Sequence, residues 1–316
     1  MIGGEIEPKV ILITGAAGFI GSHLVDRLSV DGHSVVGVDD LSSGKRENVS
    51  PQFDLRELDV CSPELRNVVR EVRPDVVYHL AAQISVSVSA REPEFDADVN
   101  IKGSLNLLEG IREAALEKTR FVYITSGGTA YGAPEVLPAD ETTPVRPLSP
   151  YGVSKLAVEQ YLPVYENLAG LSYGIVRLAN IYGPRQDPHG EAGVVAIFSR
   201  AMLNGTPLQI FGDGNDERDY VYVSDVVDAI LKVGDSDLAG PYNVGTAIGT
   251  STNRIFELLA RYTDHSEEAL HGPNRPGDIN KIALDSGKAK RELGWEPQVS
   301  LEEGLKRSVE WFKENP

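Results

Sequence analysis

The 316-residue sequence holds a single cysteine, Cys61, so no disulfide can form within the chain. That excludes a disulfide-stapled secreted scaffold and fits a reducing compartment, here the cytoplasm. Cys61 lies in "DVCSPE" with no basic neighbour, so it is not expected to act as a catalytic thiol. Positive charge is scarce. Lys and Arg total 30 against 47 Asp and Glu, for a net charge of −17. A nucleic-acid binder needs a basic face, and none is visible. An anionic substrate would have to be met by a few local arginines. No apolar run approaches the roughly 20 residues of a membrane helix. The opening "MIGGEIEPK" has no hydrophobic signal core. The six histidines form no short metal-ligand spacing, so no metal is expected.

Hydrophobic residues are present in quantity, at 41%, enough for one large domain or two intimate ones. In "KVILITGAAGFIGSHLVDRLSVDGHSVVGVDD", an apolar run from Val10 to Ile13 precedes a glycine turn. Ile20, Leu24 and Leu28 then recur at helical spacing, and Val35 to Val38 is apolar again. This is a βαβ unit, and continuous apolar strands imply a sheet covered on both faces. The alternation continues. Residues 53–60, 74–82, 120–126 and 171–183 read as strands, and 62–73, 100–117 and 149–170 as helices. The fold class is therefore α/β, a doubly wound parallel sheet of Rossmann type. Beyond about residue 180 the texture breaks into short elements punctuated by Pro and Gly. We expect a Rossmann domain over 1–179 and a smaller, partly interleaved C-terminal domain over 180–316. A segment near 218–250 is expected to return to the first.

Gly15, Gly18 and Gly21 in "TGAAGFIG" sit between strand and helix. Glycines there permit a tight turn and let backbone N–H groups reach a pyrophosphate at the helix N-terminus. Asp39 ends the second strand, where a carboxylate can take the ribose hydroxyls of an adenosine. It would repel a 2′-phosphate, which favours NAD over NADP.

Tyr151 and Lys155 stand four apart in "SPYGVSK", with Ser149 placed to cap a helix and Pro150 in its first turn. On a helix both side chains share one face. A phenol with pKa near 10 becomes a useful base only beside positive charge. Lys155 and an oxidised nicotinamide would supply it. In "ITSGGTAYG", two hydroxyls, Thr125 and Ser126, end a strand and precede two glycines that can permit close backbone approach.

Together "TGAAGFIG", "HLAAQ", "TSGGTAYG", "SPYGVSK" and "RDYVYVSDVV" resemble the extended short-chain dehydrogenase/reductases. The nearest group is the UDP-glucose 4-epimerase-like nucleotide-sugar epimerases, and the resemblance spans almost the whole chain. It implies a tyrosinate that removes the proton of a sugar 4-hydroxyl while hydride passes to bound NAD and returns to the other face. The usual family hydroxyl falls on Gly127, so the sequence departs from the commonest pattern. Ser126 or Thr129 must replace that hydroxyl, or backbone N–H groups must do so, and Ser126 is favoured. Family dehydratases place an Asp-Glu pair after the hydroxyl, and decarboxylases a Glu. Both are absent here.

By the same resemblance, Phe19 and Ile20 follow the phosphate loop. Asp40, Leu41, Ser42, Ser43 and Gly44 join Asp39 around the adenosine, with Asp59 and Val60 at the adenine. Leu80, Ala81, Ala82, Gln83 and Asn100 line the cofactor further on, and Lys155 also holds the nicotinamide ribose. Ile84 stands where family epimerases often have lysine. Asn180, Arg218 and Arg275 would bind the nucleotide diphosphate, two guanidiniums being suited to that charge. Asp278 would meet the ribose, and Val194, Val195, Gln209 and Phe211 the uracil and sugar. Ile282 falls where some members carry a tyrosine against the sugar 2-position, so an N-acetyl group is a candidate substituent.

The expected function is NAD-dependent 4-epimerisation of a UDP-hexose, UDP-glucose/UDP-galactose. Alternatives are UDP-glucuronate or UDP-N-acetylglucosamine 4-epimerase, a nucleotide-sugar reductase or dehydrogenase, and a non-catalytic binding regulator. A reductase would consume cofactor, and a regulator would not need Tyr151. A homodimer pairing helices near 100–117 and 151–169 is expected, with no nucleic-acid or membrane partner.

Overall fold

The computed structural model describes residues 7–189, 193–273 and 279–316. The chain opens with β1 (Val10–Thr14), α1 (Phe19–Val30), β2 (Ser34–Asp39), β3 (Asp54–Glu57), α2 (Leu65–Val72) and β4 (Val76–His79). Two short helices, α3 (Val86–Arg91) and α4 (Pro93–Ala97), lead through a π-helical turn at Asp98–Gly103 into α5 (Ser104–Glu113). Then come β5 (Arg120–Ser126), α6 (Gly127–Tyr131), α7 (Pro150–Ala169), β6 (Ser172–Leu178) and β7 (Asn180–Tyr182). The remainder comprises α8 (Val194–Asn204), β8 (Gln209–Phe211), β9 (Glu217–Tyr222), α9 (Val223–Gly234), β10 (Pro241–Val244) and β11 (Gly249–Ser251). It closes with α10 (Thr252–Thr263), β12 (Leu270–Gly272), α11 (Gly287–Leu293) and α12 (Leu301–Glu314).

Contacts divide the chain into two compact units. The first takes residues up to 125, 149–176 and 230–241. The second takes 126–148, 177–229 and 242–316.

The main sheet has seven strands in the order β10-β6-β5-β4-β1-β2-β3. β1 pairs in parallel with β2 and β4, β2 with β3, and β4 with β5. This is the doubly wound arrangement expected from the alternating pattern. Leu12, Val77, Phe121, Tyr123 and Ile175 from the strands, with Leu107, Ile111, Val158 and Leu162 from α5 and α7, form one buried cluster. The order reverses between β1 and β4, and ligands of such sheets bind outside the carboxyl ends of the strands at that point. Thr14 and His79 are partners in register there.

The second unit holds a three-stranded sheet, β11-β9-β7, and a parallel pair, β12 with β8. Buried Trp295 donates its indole N–H to the Asp225 carbonyl at 2.9 Å, and Asp225 Oδ2 accepts the amides of Gln298 and Val299.

Two local readings change. Residues 171–183 break at Ala179 into β6 and β7, which enter different sheets. The helix expected over 100–117 starts inside a π turn and ends at Glu113. The glycines at 127 and 128 open α6, which Ser126 caps.

Candidate active site

The turn after β1 is tight enough to require its glycines. Gly15 has φ +72°, and its N–H donates to the Val38 carbonyl at 2.8 Å. A β-carbon on Gly15 would lie 2.8 Å from the Ala81 nitrogen, and one on Gly21 would lie 2.0 Å from the Gly15 carbonyl oxygen. The turn therefore packs between β4's exit and α1's first turn, where only hydrogen fits. Gly18 is the N-cap of α1 and brings no side chain to cap the helix. Amides of a first turn left without a cap suit an anion. Phe19 and Ile20, half-buried, begin the helix.

Asp39 is buried at the end of β2. Its Oδ2 accepts the Ala17 amide and its Oδ1 the Leu41 amide, both at 2.9 Å. Burial pushes its carboxyl up, and these backbone donors pull it back. An ionised carboxylate has roughly four lone-pair sites, so two such bonds leave acceptor capacity for hydroxyls. A β-carbon on Gly44 would come within 2.7 Å of Asp39 Oδ1, so Gly44 lets the loop close on that carboxylate. Ser42 folds back on Asp40 through its amide and its hydroxyl, and Ser43 is exposed. Asp59 is exposed and accepts the Cys61 amide, whereas Val60 is buried in the core. Burial and Asp59 push the Cys61 thiol up, away from thiolate character.

Past β4, the Leu80 amide donates to the Thr14 carbonyl and the Ala81 amide to Thr14 Oγ1. Ala82 and Gln83 follow, half-buried, and Ile84 is exposed. The Gln83 amide donates to Asn100 Oδ1 at 2.9 Å. His79 is buried, with Nδ1 2.6 Å from Thr14 Oγ1 and Nε2 2.8 Å from Ser104 Oγ. Burial, and then the charge of Lys155, pull its pKa down to about 3, so the ring is neutral.

Ser149 caps α7 by accepting the Gly152 amide, and Pro150 occupies the first turn, as the sequence suggested. Tyr151 and Lys155 are thus one helical turn apart. Lys155 is only 3% exposed, and its Nζ lies over the Tyr123 ring, 4.5 Å from the centroid. Burial pulls the Lys155 pKa down to about 7, against the opposing charges of Glu159 and Asp96. Burial, with Asp96, pushes the Tyr151 phenol above its ordinary value. The expected acidified phenol is therefore not a property of the chain alone. Desolvation outweighs the neighbouring lysine.

Ser126 Oγ accepts the Thr129 amide at 3.4 Å, and Thr129 is half-buried. Gly127 is buried: a β-carbon there would lie 2.5 Å from Leu284 Cδ1. Leu284 packs with Tyr131, Ala139 and Ile282. Gly127 thus serves packing against Leu284, which the sequence did not reveal. Ile282 belongs to the same buried cluster. Thr125, at the end of β5 in the first unit, is buried, and its hydroxyl has no partner among the described residues.

In the second unit, Asn180 is exposed at the start of β7. Arg218, on β9, is half-buried and donates from Nη1 to the Glu217 carbonyl at 3.0 Å. Gln209 and Phe211 are exposed on β8, while Val194 and buried Val195 open α8. Arg275 and Asp278 lie outside the described residues. Arg177 went unnoticed in the sequence. It donates to the Tyr131 hydroxyl at 2.9 Å, which donates in turn to Asn243 Oδ1 at 2.8 Å, fixing the end of α6.

The sequence model of the NAD dependent epimerase/dehydratase family matches residues 11–245. The chain is 49% identical over 308 residues to a UDP-glucose 4-epimerase of Mycolicibacterium smegmatis, covering 96% of this chain and 98% of that one. It superposes with TM-score 0.93 on the Thermotoga maritima UDP-glucose 4-epimerase crystallised with UDP-glucose, at 48% identity and over 96% and 99% of the two chains. A Thermus thermophilus UDP-glucose 4-epimerase in complex with NAD gives TM-score 0.91 at 44% identity, over 96% and 98%.

Proposed function

The chain belongs to the NAD-dependent epimerase/dehydratase family, and we propose that within it the protein is a UDP-hexose 4-epimerase acting on UDP-glucose and UDP-galactose. The observation that carries this reading is the pairing of Tyr151 and Lys155 on α7 in a unit whose β1 turn is built for a pyrophosphate. High identity to UDP-glucose 4-epimerases over almost the full length supports it.

The residues fit NAD. The glycine turn after β1 brings uncapped amides to the diphosphate, and Asp39 accepts from the adenosine ribose with Asp40, Leu41, Ser42, Ser43 and Gly44 around it. Asp59, Val60, the 80–83 strand exit and Asn100 complete this side. Bound NAD supplies a hydride acceptor that is regenerated within one turnover. Tyr151 removes the proton of the sugar 4-hydroxyl and later returns it. Lys155 holds the nicotinamide ribose and stabilises the phenolate. Because burial opposes both charges in the chain alone, the base forms only when further positive charge joins the pair. Ser126 donates to the oxygen undergoing oxidation, with Thr129 beside it. Asn180, Arg218 and Arg275 neutralise the diphosphate, Asp278 takes the ribose, and Val194, Val195, Gln209 and Phe211 line the uracil and sugar.

In this reading the first unit is the NAD-binding domain and the second mainly the nucleotide-sugar domain. The protein works in the cytoplasm as a homodimer through α5 and α7. Tyr161, Val164 and Leu168 support that pairing, being exposed apolar residues at helical spacing on α7. Among the described residues no helix is long and apolar enough to cross a membrane.

The test is direct. Purified protein is incubated, without added cofactor, with UDP-glucose, UDP-galactose, UDP-glucuronate and UDP-N-acetylglucosamine. Interconversion of UDP-glucose and UDP-galactose is expected. No interconversion under these conditions, with turnover appearing only when reduced cofactor is added and consumed stoichiometrically, would replace this reading by a reductase.

A further inference from the structure

Asp96, the fourth residue of α4, is 1% exposed. Its Oδ1 accepts from Gln83 Nε2 at 2.8 Å and from Asn100 Nδ2 at 3.1 Å. Asn100 Nδ2 also lies 3.1 Å from Ser154 Oγ, and that hydroxyl donates to the Tyr151 carbonyl at 3.0 Å. A continuous polar chain thus runs from the exit of β4, through Asp96, to the first turns of α7. The other carboxylate oxygen, Oδ2, is buried with no hydrogen-bond partner among the described residues. A dry, unpaired carboxylate oxygen is costly unless a nearby charge compensates it.

The buried cations described in the first unit are Lys155 and Arg120. Arg120 is engaged elsewhere, donating to the carbonyls of Tyr173, Val233 and Leu238. Lys155 is the cation on the helix that the Asp96 chain reaches. The groups bearing on Lys155 are Tyr151 and Glu159 on its own helix, Asp96 on α4, Tyr123 on β5 and neutral His79 on β4. Around Asp96, the charged side chains Arg91, Glu94, Asp98 and Lys102 are exposed.

We propose that Asp96 is a positioning residue for the Tyr151–Lys155 pair: its carboxylate ties Gln83 and Asn100 to α7 and adds buried negative charge, alongside that of Glu159, that favours the ammonium form of Lys155. This rests on the proposed roles of Tyr151 and Lys155. The role differs from packing because an amide at 96 retains the Oδ1 acceptor but loses the charge.

The experiment compares wild-type protein, as purified, with Asp96→Asn. Brief acetylation at a series of pH values, followed by peptide mass spectrometry, reports the titration midpoint of each lysine. In the variant the Lys155 midpoint falls by about one unit, an approximately tenfold change in its ammonium-to-amine ratio at fixed pH, while exposed Lys102 does not move. In the epimerase assay, the alkaline limb of kcat shifts to lower pH by a similar amount, because activity requires the ammonium. An unmoved Lys155 midpoint would overturn the inference whether or not the protein epimerises any sugar. A shifted midpoint in a protein that interconverts no UDP-sugar would leave the inference standing and remove the functional reading. If Asp96→Asn does not melt cooperatively, Asp96→Ser, also neutral and able to accept from Asn100, carries the same comparison.

Discussion

Leu284 fills the space that a side chain at Gly127 would need: the nearest approach to a β-carbon there is 2.5 Å, from Cδ1. The two residues form one packing decision. Gly127→Ser overpacks the site and is expected to destabilise the protein by about 1–3 kcal/mol. Leu284→Ala alone leaves a cavity and costs about 2–5 kcal/mol. In the double variant the serine occupies part of that cavity, so the losses do not add. A double-mutant cycle from chemical denaturation should give a favourable coupling of about 0.5–3 kcal/mol. Strict additivity would show that Leu284 does not set the identity of residue 127.

Lys155 makes the stability of the cofactor-free protein depend on pH in a direction that follows from its burial. Its folded pKa is about 7, below the ordinary lysine value of 10.5. Between those values the unfolded chain binds more protons than the folded one, so stability rises with pH across that window. Below about pH 7 the full penalty of holding a buried ammonium is present, on the order of 5 kcal/mol. Lys155→Met removes it. The melting temperature of cofactor-free Lys155→Met should exceed wild type most at pH 6, and the gap should close toward pH 10.5. A gap independent of pH would mean that the lysine is not desolvated in the folded state.

The frame of this molecule was readable because its signals are local. Apolar runs marked β1, β2, β4 and β5, with glycines following β1 and β5, and Ser149-Pro150 marked the start of α7. The Gly15 turn was legible because close backbone approach leaves only one residue type that fits. What escaped the sequence was tertiary. The pairing of Gly127 with Leu284 joins positions 157 apart, and no local pattern reports it. Asp96 looked like one acid among 47 until its helix buried it against Gln83 and Asn100. The phenol's upward shift was missed for a related reason. Spacing places a lysine beside a tyrosine, but it does not say how dry the site is.

Two hydroxyls end β5, and they are chemically distinguishable. Ser126 accepts the Thr129 amide and keeps its proton for donation. Thr125 is buried, and its hydroxyl lacks a partner among the described residues. With Ser126 as the donor, Ser126→Ala should lower kcat by about 10²–10³, the loss typical of removing one donor from a developing oxyanion, with little change in KM. Thr125→Val, nearly isosteric, should leave kcat within a few-fold. The reverse pattern would move the donor role to Thr125. Cofactor content, read from the absorbance of the purified variants, should remain at the wild-type level in both.

Arg218 offers a separate handle on substrate binding, because the role proposed for it is charge recognition rather than proton transfer. It is half-buried on β9, with Nη1 already on the Glu217 carbonyl, which leaves other guanidinium donors for an anion. In a chain of net charge −17 a nucleotide diphosphate depends on a few local cations. Arg218→Ala should raise KM for UDP-glucose by about 10- to 100-fold, in line with the 1.5–3 kcal/mol of a charged hydrogen bond. Arg218→Lys should recover only part of that loss, since an ammonium lacks the planar fork. The same substitutions should weaken UDP binding in titration calorimetry by a similar factor, with the NAD content of the protein unchanged. If UDP affinity is unaltered while KM rises, Arg218 acts on the sugar end of the substrate and the diphosphate is held elsewhere.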